Sequence, residues 1–234
     1  MRSTPTKSGN GCKSPYVVGE HEFETIATET LHVGKIFALR ADEVRMPGGT
    51  TARREVVEHF GAVAIVALDE AGHVVLVHQY RHPVGRRLWE LPAGLLDMGD
   101  EPAHVTAARE LEEEAGVAAE HWRVLVDLIS APGFSDESVR VYLATGLTDI
   151  ARPDAHDEEA DLEVSRMPLS EAVGMVFAGE IVNSIAVAGI LAAQTMGDTG
   201  SLRPVGAPWI DRSTRFRARK AQGERSDGEA VTAP

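Results

Sequence analysis

The alternation of apolar and polar residues predicts a chain that begins with β-strands. Residues 23–28 and 35–40 alternate in the manner of half-buried strands, and a Pro-Gly-Gly turn follows at 47–49. Residues 61–68 and 73–80 are two nearly apolar runs on either side of a short polar turn. We therefore expect a block of antiparallel strands, followed by a hairpin of two well-buried strands.

After the hairpin the pattern changes repeatedly between strands and helices. Further strands are predicted at residues 87–91, 122–131 and 138–145, and helical periodicity covers residues 102–116, 168–178 and 183–196. Pro102 suits the start of the first helix and Gly116 suits its end, while Asn183 suits the cap of the last helix. The expected fold is a mixed sheet with helices packed on it, which belongs to the α/β class.

The helix predicted between Pro102 and Gly116 has an unusual charge pattern. Its apolar stripe consists of Val105, Ala108, Leu111 and Ala115, and the carboxylates on nearly the opposite side are Glu110, Glu113 and Glu114. Glutamates four residues apart repel each other, and negative charge at the C-terminal end of a helix opposes the helix dipole. A bound divalent cation would reverse the sign of these unfavourable terms.

Two interpretations of the carboxylate cluster follow. A solvated acidic face is the commoner one, but such a face normally carries Lys or Arg four residues after the acids, and this helix has none there. Clustered carboxylates without Cys or a convincing His cluster favour a hard cation with oxygen ligands, so a metal here would be Mg²⁺ or Mn²⁺ rather than zinc. Such an ion bridges phosphate oxygens, which points to hydrolysis of a phosphoanhydride.

The composition is that of a globular protein with an acidic surface. The 234 residues are 43% hydrophobic and carry a net charge of −13, which argues against nucleic acid or an anionic membrane as the main partner. No apolar run approaches the roughly 18 residues of a membrane span, and the N-terminus lacks the apolar core of a signal peptide. The single cysteine, Cys12, cannot form an internal disulfide. These features predict a cytoplasmic location.

Four segments are expected along the chain. They are a disordered tail over residues 1–15, a β-strand block over 16–58, a main domain over 59–196 and a C-terminal tail over 197–234. The β-strand block is too small to bury a good core alone, so it should pack on the main domain or on a partner chain. The basic run in the C-terminal tail could contact nucleic acid or phosphate, but an exposed or partner-docked tail agrees better with the net charge.

Residues 94–117 resemble a known motif. The run Arg109–Val117, with Glu101 eight residues before it and Gly94 further ahead, is similar to the Nudix box of the Nudix hydrolases. Six residues separate Gly94 from Glu101 where the usual motif has five, and the extra residue falls in the loop before the helix. The resemblance implies a Nudix α/β/α sandwich with a mixed sheet, preceded by a small N-terminal antiparallel β-sheet block.

The resemblance also implies roles for individual residues. The implied metal ligands are Glu110 and Glu114, with the carbonyl of Ala93 as an additional donor, for more than one ion of Mg²⁺ or Mn²⁺. Glu113 would be a further ligand or a residue that contacts the ligands from behind. Arg109 would orient the glutamate ligands. The catalytic base would come from the acidic loop that follows residue 149, with Glu159 as the first choice and Glu158 as the second.

A second landmark concerns the substrate. Residues 131–137, with Pro132 sixteen residues beyond Gly116, resemble the loop that marks ADP-ribose pyrophosphatases among the Nudix hydrolases, and the closest likeness is to the actinobacterial enzymes. The residues implied to bind substrate are Arg54, Arg81, Glu137 and Trp89. A guanidinium fork suits both phosphate and the face of a base, which agrees with roles for the two arginines.

The implied reaction is the metal-dependent hydrolysis of ADP-ribose to AMP and ribose 5-phosphate. The N-terminal strands of such enzymes commonly exchange across a homodimer, which would give the small β-strand block a partner. Two alternatives stay open. The substrate could be another nucleoside diphosphate derivative, such as a dinucleotide or a sugar nucleotide, or the protein could be a non-catalytic regulator that binds ADP-ribose.

Overall fold

The computed structural model describes residues 23–99, 101–152, 161–197 and 199–230, with side chains up to residue 222. The strands are β1 Glu24–Val33, β2 Phe37–Arg45, β3 Thr51–His59, β4 Ala62–Ala67, β5 His73–Arg81, β6 Arg86–Glu90, β7 Ala93–Leu95, β8 Val117–Ile129, β9 Ser138–Asp149, β10 Glu163–Pro168 and β11 Arg203–Pro204. The helices are α1 Ala103–Ala115, α2 Leu169–Ala178, α3 Ser184–Thr195 and α4 Arg215–Ala230. The predicted tail over residues 1–15 lies outside the described residues.

A mixed sheet forms the centre of the molecule, in the order β11-β8-β9-β4-β7, with β4 and β9 parallel. Every residue of β4 is buried, and successive side chains enter opposite cores. Val66 packs in the core that contains Ile190 of α3, whereas Ile65 packs in the core that contains Leu111 of α1. The sheet therefore lies between helices, and the predicted α/β/α sandwich is confirmed.

The predicted hairpin of residues 61–68 and 73–80 is wrong. β4 pairs with β7 and β9, whereas β5 belongs to a separate sheet in the order β10-β5-β6. One isolated bridge, between Leu68 and Val74, joins the two runs. Both edges of β4 are occupied by other strands, so the short turn changes the chain from one sheet to another instead of closing a ladder.

The N-terminal strands form a separate antiparallel sheet in the order β1-β2-β3. All ten residues of β1 are exposed, including the apolar side chains of Ile26, Leu31 and Val33. Its partner β2 is partly buried, with Ala38 and Ala41 in the interior. Within the described residues, no other element of the chain covers the edge strand β1.

The C-terminal segment differs from the expected exposed or partner-docked tail. Within the described residues, β11 pairs with β8, and the Arg140 guanidinium donates to the carbonyls of Ala207 and Pro208 at 2.8 and 3.0 Å. Phe216 of α4 is fully buried against Phe60. The segment from β11 to α4 therefore packs on the same chain, because its few apolar residues reach gaps in the core that a local sequence pattern does not reveal.

The start of α3 agrees with the sequence prediction. The Asn183 side chain caps α3 by accepting hydrogen bonds from the Ile185 and Ala186 N–H groups, both at 3.0 Å, as predicted. The sequence analysis did not identify β10, which follows the acidic loop. Among the described residues no helix is long and apolar enough to cross a membrane.

Candidate active site

The first helix, α1, packs its inner face on the central sheet. Ala107 and Leu111 are fully buried, and Gly116 ends the helix in the left-handed conformation at φ 65°. Val105, which the apolar stripe placed inside, is 41% exposed, whereas Glu114 is only 8% exposed. The helix is therefore rotated relative to the predicted stripe, and its buried face includes a carboxylate.

The strand β7 makes this burial possible. The Ala93 N–H donates to Glu114 Oε2 at 2.9 Å and so provides a partner for the buried carboxyl. Gly94 has no side chain, and a Cβ built there would lie 2.1 to 2.3 Å from the Glu110 carboxyl group. A glycine is thus required at this position, because the Glu110 side chain occupies the space that any larger residue would fill.

The buried Glu114 carboxyl and the half-buried Glu110 carboxyl lie in an environment that disfavours their charge. Burial raises the pKa of Glu110 to about 7, with Arg109 opposing the rise and Glu113 adding to it. Burial likewise raises the pKa of Glu114 to about 8, against the lowering effect of the Ala93 N–H and with a further rise from Glu110. A cation bound between them would stabilise both ionised forms.

Arg109 is the basic group next to this pair. Its Nη1 lies 2.9 Å from Glu110 Oε1 and 2.9 Å from Glu113 Oε2, and its Nη2 lies 3.5 Å from Glu101 Oε2. The Glu101 carboxylate in turn accepts a hydrogen bond from the Thr106 hydroxyl at 2.7 Å. Arg109 therefore connects the loop before the helix to the outer carboxylates of the helix.

The donor set fits a hard divalent cation. Glu110 and Glu114 offer oxygen ligands only, and their mutual repulsion is the term that such a cation removes. Within the part of the chain that the structure describes, no cluster of three or more His, Cys, Asp or Glu side chains converges on one point. Glu113 is instead directed to Arg109. The described residues thus supply a pair of acidic ligands rather than a closed cage.

A cavity of about 440 Å³ adjoins this pair on the β7 side, where Ala93, Gly94 and Leu95 form part of its wall. Glu90, which is 3% exposed, accepts two hydrogen bonds from Arg81 at 3.0 and 2.7 Å. The Arg81 side chain is 42% exposed and lines the cavity. A buried carboxylate thus fixes the orientation of a guanidinium at the cavity wall.

The loop between β8 and β9 contributes Glu137 to the same cavity. The loop is attached to β3, since the Val57 N–H donates to the Phe134 carbonyl at 2.7 Å and the Asp136 N–H donates to the Val57 carbonyl at 3.0 Å. The Glu137 carboxylate accepts from the Ser130 hydroxyl, and its other oxygen lies 3.4 Å from His59 Nδ1. Both an anionic and a cationic side chain therefore face the cavity.

Comparison with known proteins identifies the family. A sequence profile of the NUDIX domain matches residues 58–184, and a profile of the nucleoside diphosphate sugar hydrolase N-terminal domain matches residues 23–57. The chain belongs to the Nudix family. The glutamate helix α1 and Gly94 lie within the matched NUDIX domain, in the segment that resembles the Nudix box.

Individual relatives agree with this assignment. The chain is 63% identical to an ADP-ribose pyrophosphatase of Mycobacterium tuberculosis over 88% of this chain and 100% of that protein. It is 38% identical to an ADP-ribose pyrophosphatase of Bacillus subtilis and to a methanol dehydrogenase activator of Bacillus methanolicus, in both cases over 70% of this chain and 88% of the relative. A solved structure described as an ADP compounds hydrolase shares the fold, with a TM-score of 0.63 at 19% identity over 74% of this chain and 92% of that chain.

The structure brings only some of the predicted Nudix site residues together. Glu110, Glu114, Ala93, Arg81 and Glu137 lie at or beside the cavity. Arg54 lies on the exposed side of β3 and is not part of the cavity wall. Trp89 stacks on His78 with ring centroids 4.4 Å apart and packs on the core, so it also lies outside the wall.

The sequence analysis missed Glu90 and His59. Glu90 lies in the strand predicted at residues 87–91, between the apolar residues Trp89 and Leu91, and a glutamate in such a position can signal a buried partner. His59 ends β3 and reaches the cavity only because β3 runs beside the loop that holds Glu137. No local sequence pattern indicates that His59 lies close to Glu137.

The predicted bases, Glu158 and Glu159, lie outside the described residues. The described residues on either side are attached near the site. The Arg152 Nε donates to the Glu113 carbonyl at 3.0 Å, and Asp161 lines a second cavity together with Arg81. Both flanks of the acidic segment thus contact groups that belong to the Nudix box or to the cavity wall.

Proposed function

We propose that this protein hydrolyses the diphosphate of ADP-ribose, adding water to yield AMP and ribose 5-phosphate. The observation that carries the chemistry is the buried Glu110 and Glu114 pair beside a cavity that also presents Arg81. The substrate rests on the relatives named ADP-ribose pyrophosphatase, one of them 63% identical along its whole length. The cavity volume of about 440 Å³ is within the usual range for sites that bind small ligands.

In this proposal the Nudix box holds the metal. Glu110 and Glu114 would be the principal ligands and the Ala93 carbonyl an additional donor. Glu113, which contacts Arg109, would be a further ligand or would act through Arg109. When bound, Mg²⁺ or Mn²⁺ neutralises charge that develops on the diphosphate oxygens, and more than one ion is expected. Arg109 orients two of the carboxylates, as its 2.9 Å contacts to Glu110 and Glu113 support.

The cavity wall positions the substrate. Arg81, which Glu90 holds in place at the cavity wall, contacts the diphosphate or the adenine. The Glu137 carboxylate accepts hydrogen bonds from hydroxyl groups of the terminal ribose, or it orders a water molecule there. Trp89 supports this wall through its stacking on His78, so its contribution is to the position of β5 and β6 rather than to direct contact.

A homodimer with exchanged N-terminal strands belongs to the same proposal. The fully exposed strand β1 carries apolar side chains that a second copy would cover. Arg54 is exposed on its own chain, and an exchanged sheet is the arrangement that brings it to the site of the partner copy.

The catalytic base is assigned to Glu159, or to Glu158, in the acidic segment. A cytoplasmic location stays a prediction.

The test is a product analysis. Purified protein is incubated with ADP-ribose in Mg²⁺ or Mn²⁺ buffer, and the products are separated and identified. Release of AMP and ribose 5-phosphate in equal amounts supports the proposal. If the protein binds ADP-ribose but releases no AMP with either Mg²⁺ or Mn²⁺, the catalytic proposal is refuted. The alternative of a non-catalytic regulator that binds ADP-ribose then replaces it.

One observation favours a second substrate class. The profile that matches residues 23–57 is named for nucleoside diphosphate sugar hydrolases. One residue of this segment, Ile36, lines the cavity. A panel of sugar nucleotides and dinucleotides, compared with ADP-ribose by kcat/KM, decides between the two classes. A kcat/KM for a sugar nucleotide above that for ADP-ribose replaces the first proposal with the second.

A further inference from the structure

The residues that lead into α4 contact the main chain on both sides of Glu137, which lines the cavity. Ser213 is 8% exposed and lies two residues before the start of the helix. The adjoining Phe216 is fully buried with its ring centroid 4.5 Å from that of Phe60, and Arg219 pairs with the buried Glu58 at 2.7 Å. These contacts hold Ser213 in a fixed place relative to the end of β3.

The hydroxyl group of Ser213 is saturated with hydrogen bonds. It donates to the Asp136 carbonyl at 2.6 Å and accepts from the Ser138 N–H at 2.9 Å. The Ser138 hydroxyl lies 3.0 Å away and accepts from the Ser213 N–H at 2.9 Å. Because the single hydroxyl proton of Ser213 is directed to Asp136, the Ser138 hydroxyl is the donor in the bond between the two side chains.

The residue between these two main-chain contacts is Glu137. Its carboxylate lines the cavity, and it is the only member of the cavity wall contributed by residues 130–138. Ser213 thus attaches the main chain both before and after one residue that faces the substrate. Ser130 and His59 contact the carboxylate itself, so they constrain the side chain, whereas Ser213 constrains the backbone that carries it.

We propose that Ser213 is a positioning residue that holds Glu137 in the geometry required for substrate binding. This inference rests on the proposed function, in which Glu137 contacts the terminal ribose or its ordered water. Glu137 is assigned to the substrate and not to the metal. Loss of the Ser213 hydroxyl therefore weakens substrate binding and leaves the chemical step nearly unchanged.

The test compares Ser213→Ala with Ser138→Ala. Both changes delete one hydroxyl from the same buried pair, but Ser138→Ala leaves the contacts of Ser213 to the Asp136 carbonyl and the Ser138 N–H in place. For Ser213→Ala we expect KM for ADP-ribose to rise about three- to tenfold, the effect of one hydrogen bond, with kcat changed less than about twofold. For Ser138→Ala we expect a wild-type KM. Thermal unfolding of both variants shows whether they lose similar stability.

A double-mutant cycle provides a readout that general loosening of the fold would not produce. In a Glu137→Gln background, Ser213→Ala should add little to the increase in KM, because both changes act through the same carboxylate. Independent increases, or an equal rise of KM in Ser138→Ala, would overturn the assignment. If Ser213→Ala does not fold, Ser213→Cys replaces the hydroxyl by a weaker hydrogen-bonding group of similar shape, and the same KM comparison applies.

Equilibrium binding separates this inference from the proposed function. The dissociation constant of ADP-ribose is measured without added metal for the wild type and for each serine variant. A wild type that binds ADP-ribose but releases no AMP refutes the catalytic function, and the Ser213 inference is then judged on the dissociation constants alone. Equal constants for wild type and Ser213→Ala refute the inference, and a wild type that neither binds ADP-ribose nor releases AMP with Mg²⁺ or Mn²⁺ refutes both.

Discussion

Two groups of buried glutamates in this protein have opposite electrostatic environments. Glu114 in the Nudix box is 8% exposed and Glu58 at the end of β3 is 2% exposed, so both side chains are removed from water. Burial raises the pKa of Glu114 to about 8. Burial also acts to raise the pKa of Glu58, but hydrogen bonds from Arg219 and Arg40 outweigh it and the pKa is lowered.

The partners explain the difference. Glu58 accepts from Arg40 at 2.6 Å and from Arg219 at 2.7 and 3.1 Å, so its charge is matched by two guanidinium groups. Glu114 has one neutral donor, the Ala93 N–H, and the charge of Glu110 raises its pKa against the lowering effect of Arg81. Glu110 has the single guanidinium of Arg109, which Glu113 shares. A glutamate with two cationic partners stabilises the fold, whereas a carboxyl pair whose pKa values stay raised is suited to bind a cation that is not part of the chain.

The largest expected effect is on the Glu110 and Glu114 pair. Replacing either residue, Glu110→Gln or Glu114→Gln, should reduce kcat by roughly 10³-fold, because a neutral amide cannot replace an anionic metal ligand. The metal-free thermal midpoint should not fall, since each change removes a charge that burial disfavours. Activity at saturating Mg²⁺ and thermal unfolding in EDTA check this. Wild-type turnover in both variants would refute the metal assignment.

Replacing Glu58 should lower the stability of the protein and leave its kcat nearly unchanged. Glu58→Gln leaves Arg40 and Arg219 without their shared carboxylate, and breaking such a buried ion pair typically costs about 3 to 5 kcal/mol of unfolding free energy. Denaturant unfolding measures the loss. The kcat of the remaining folded protein should stay within about threefold of wild type. A loss of kcat without a loss of stability would contradict the structural role.

The pH dependence of stability should have opposite signs for the two groups. Glu110 and Glu114 keep protons in the folded state up to pH about 7 and 8, while unfolded carboxyls release them near the ordinary value of 4.5. The folded state thus binds more protons between these limits, so metal-free stability falls as pH rises, by up to about 1.4 kcal/mol per pH unit for each group.

Glu58 contributes stability above its unfolded pKa and loses it as pH falls through the lowered folded pKa, below the ordinary 4.5. Denaturant unfolding in EDTA from pH 3 to pH 8 covers both windows. The Glu110→Gln, Glu114→Gln double variant should lose the decrease between pH 5 and pH 8 and keep the acid transition. An unchanged decrease in that variant would show that other groups cause it.

The smallest effect is expected at an exposed ion pair of the N-terminal sheet. Arg53 Nη2 lies 3.0 Å from Glu29 Oε2, and the two side chains are 53% and 63% exposed. Arg53→Gln should change the unfolding free energy by less than about 0.5 kcal/mol, because solvent screens exposed pairs. Denaturant unfolding beside Glu58→Gln gives the comparison directly. A loss similar to that of Glu58→Gln would mean that Arg53 is buried in the assembled protein.

Local sequence patterns were sufficient for most of the individual elements. The helix between Pro102 and Gly116 and the capped helix after Asn183 were predicted within a residue or two, because periodicity and capping are local properties. The supposed hairpin was wrong because two buried strands look alike whether or not they pair. The packing of the segment around Phe216 was missed because its contacts join residues far apart in the chain.

The sequence by itself determined the family, the elements of the fold and the carboxylates available to a metal, since these depend on residue types at fixed spacing. Tertiary structure decided which of those carboxylates are buried. Periodicity treats a glutamate as an outward-facing residue, yet Glu114 turns inward because β7 offers it the Ala93 N–H, and Glu110 fits only where Gly94 has no side chain. Ala93 and Glu114 lie 21 residues apart in the sequence, and only folding brings them together.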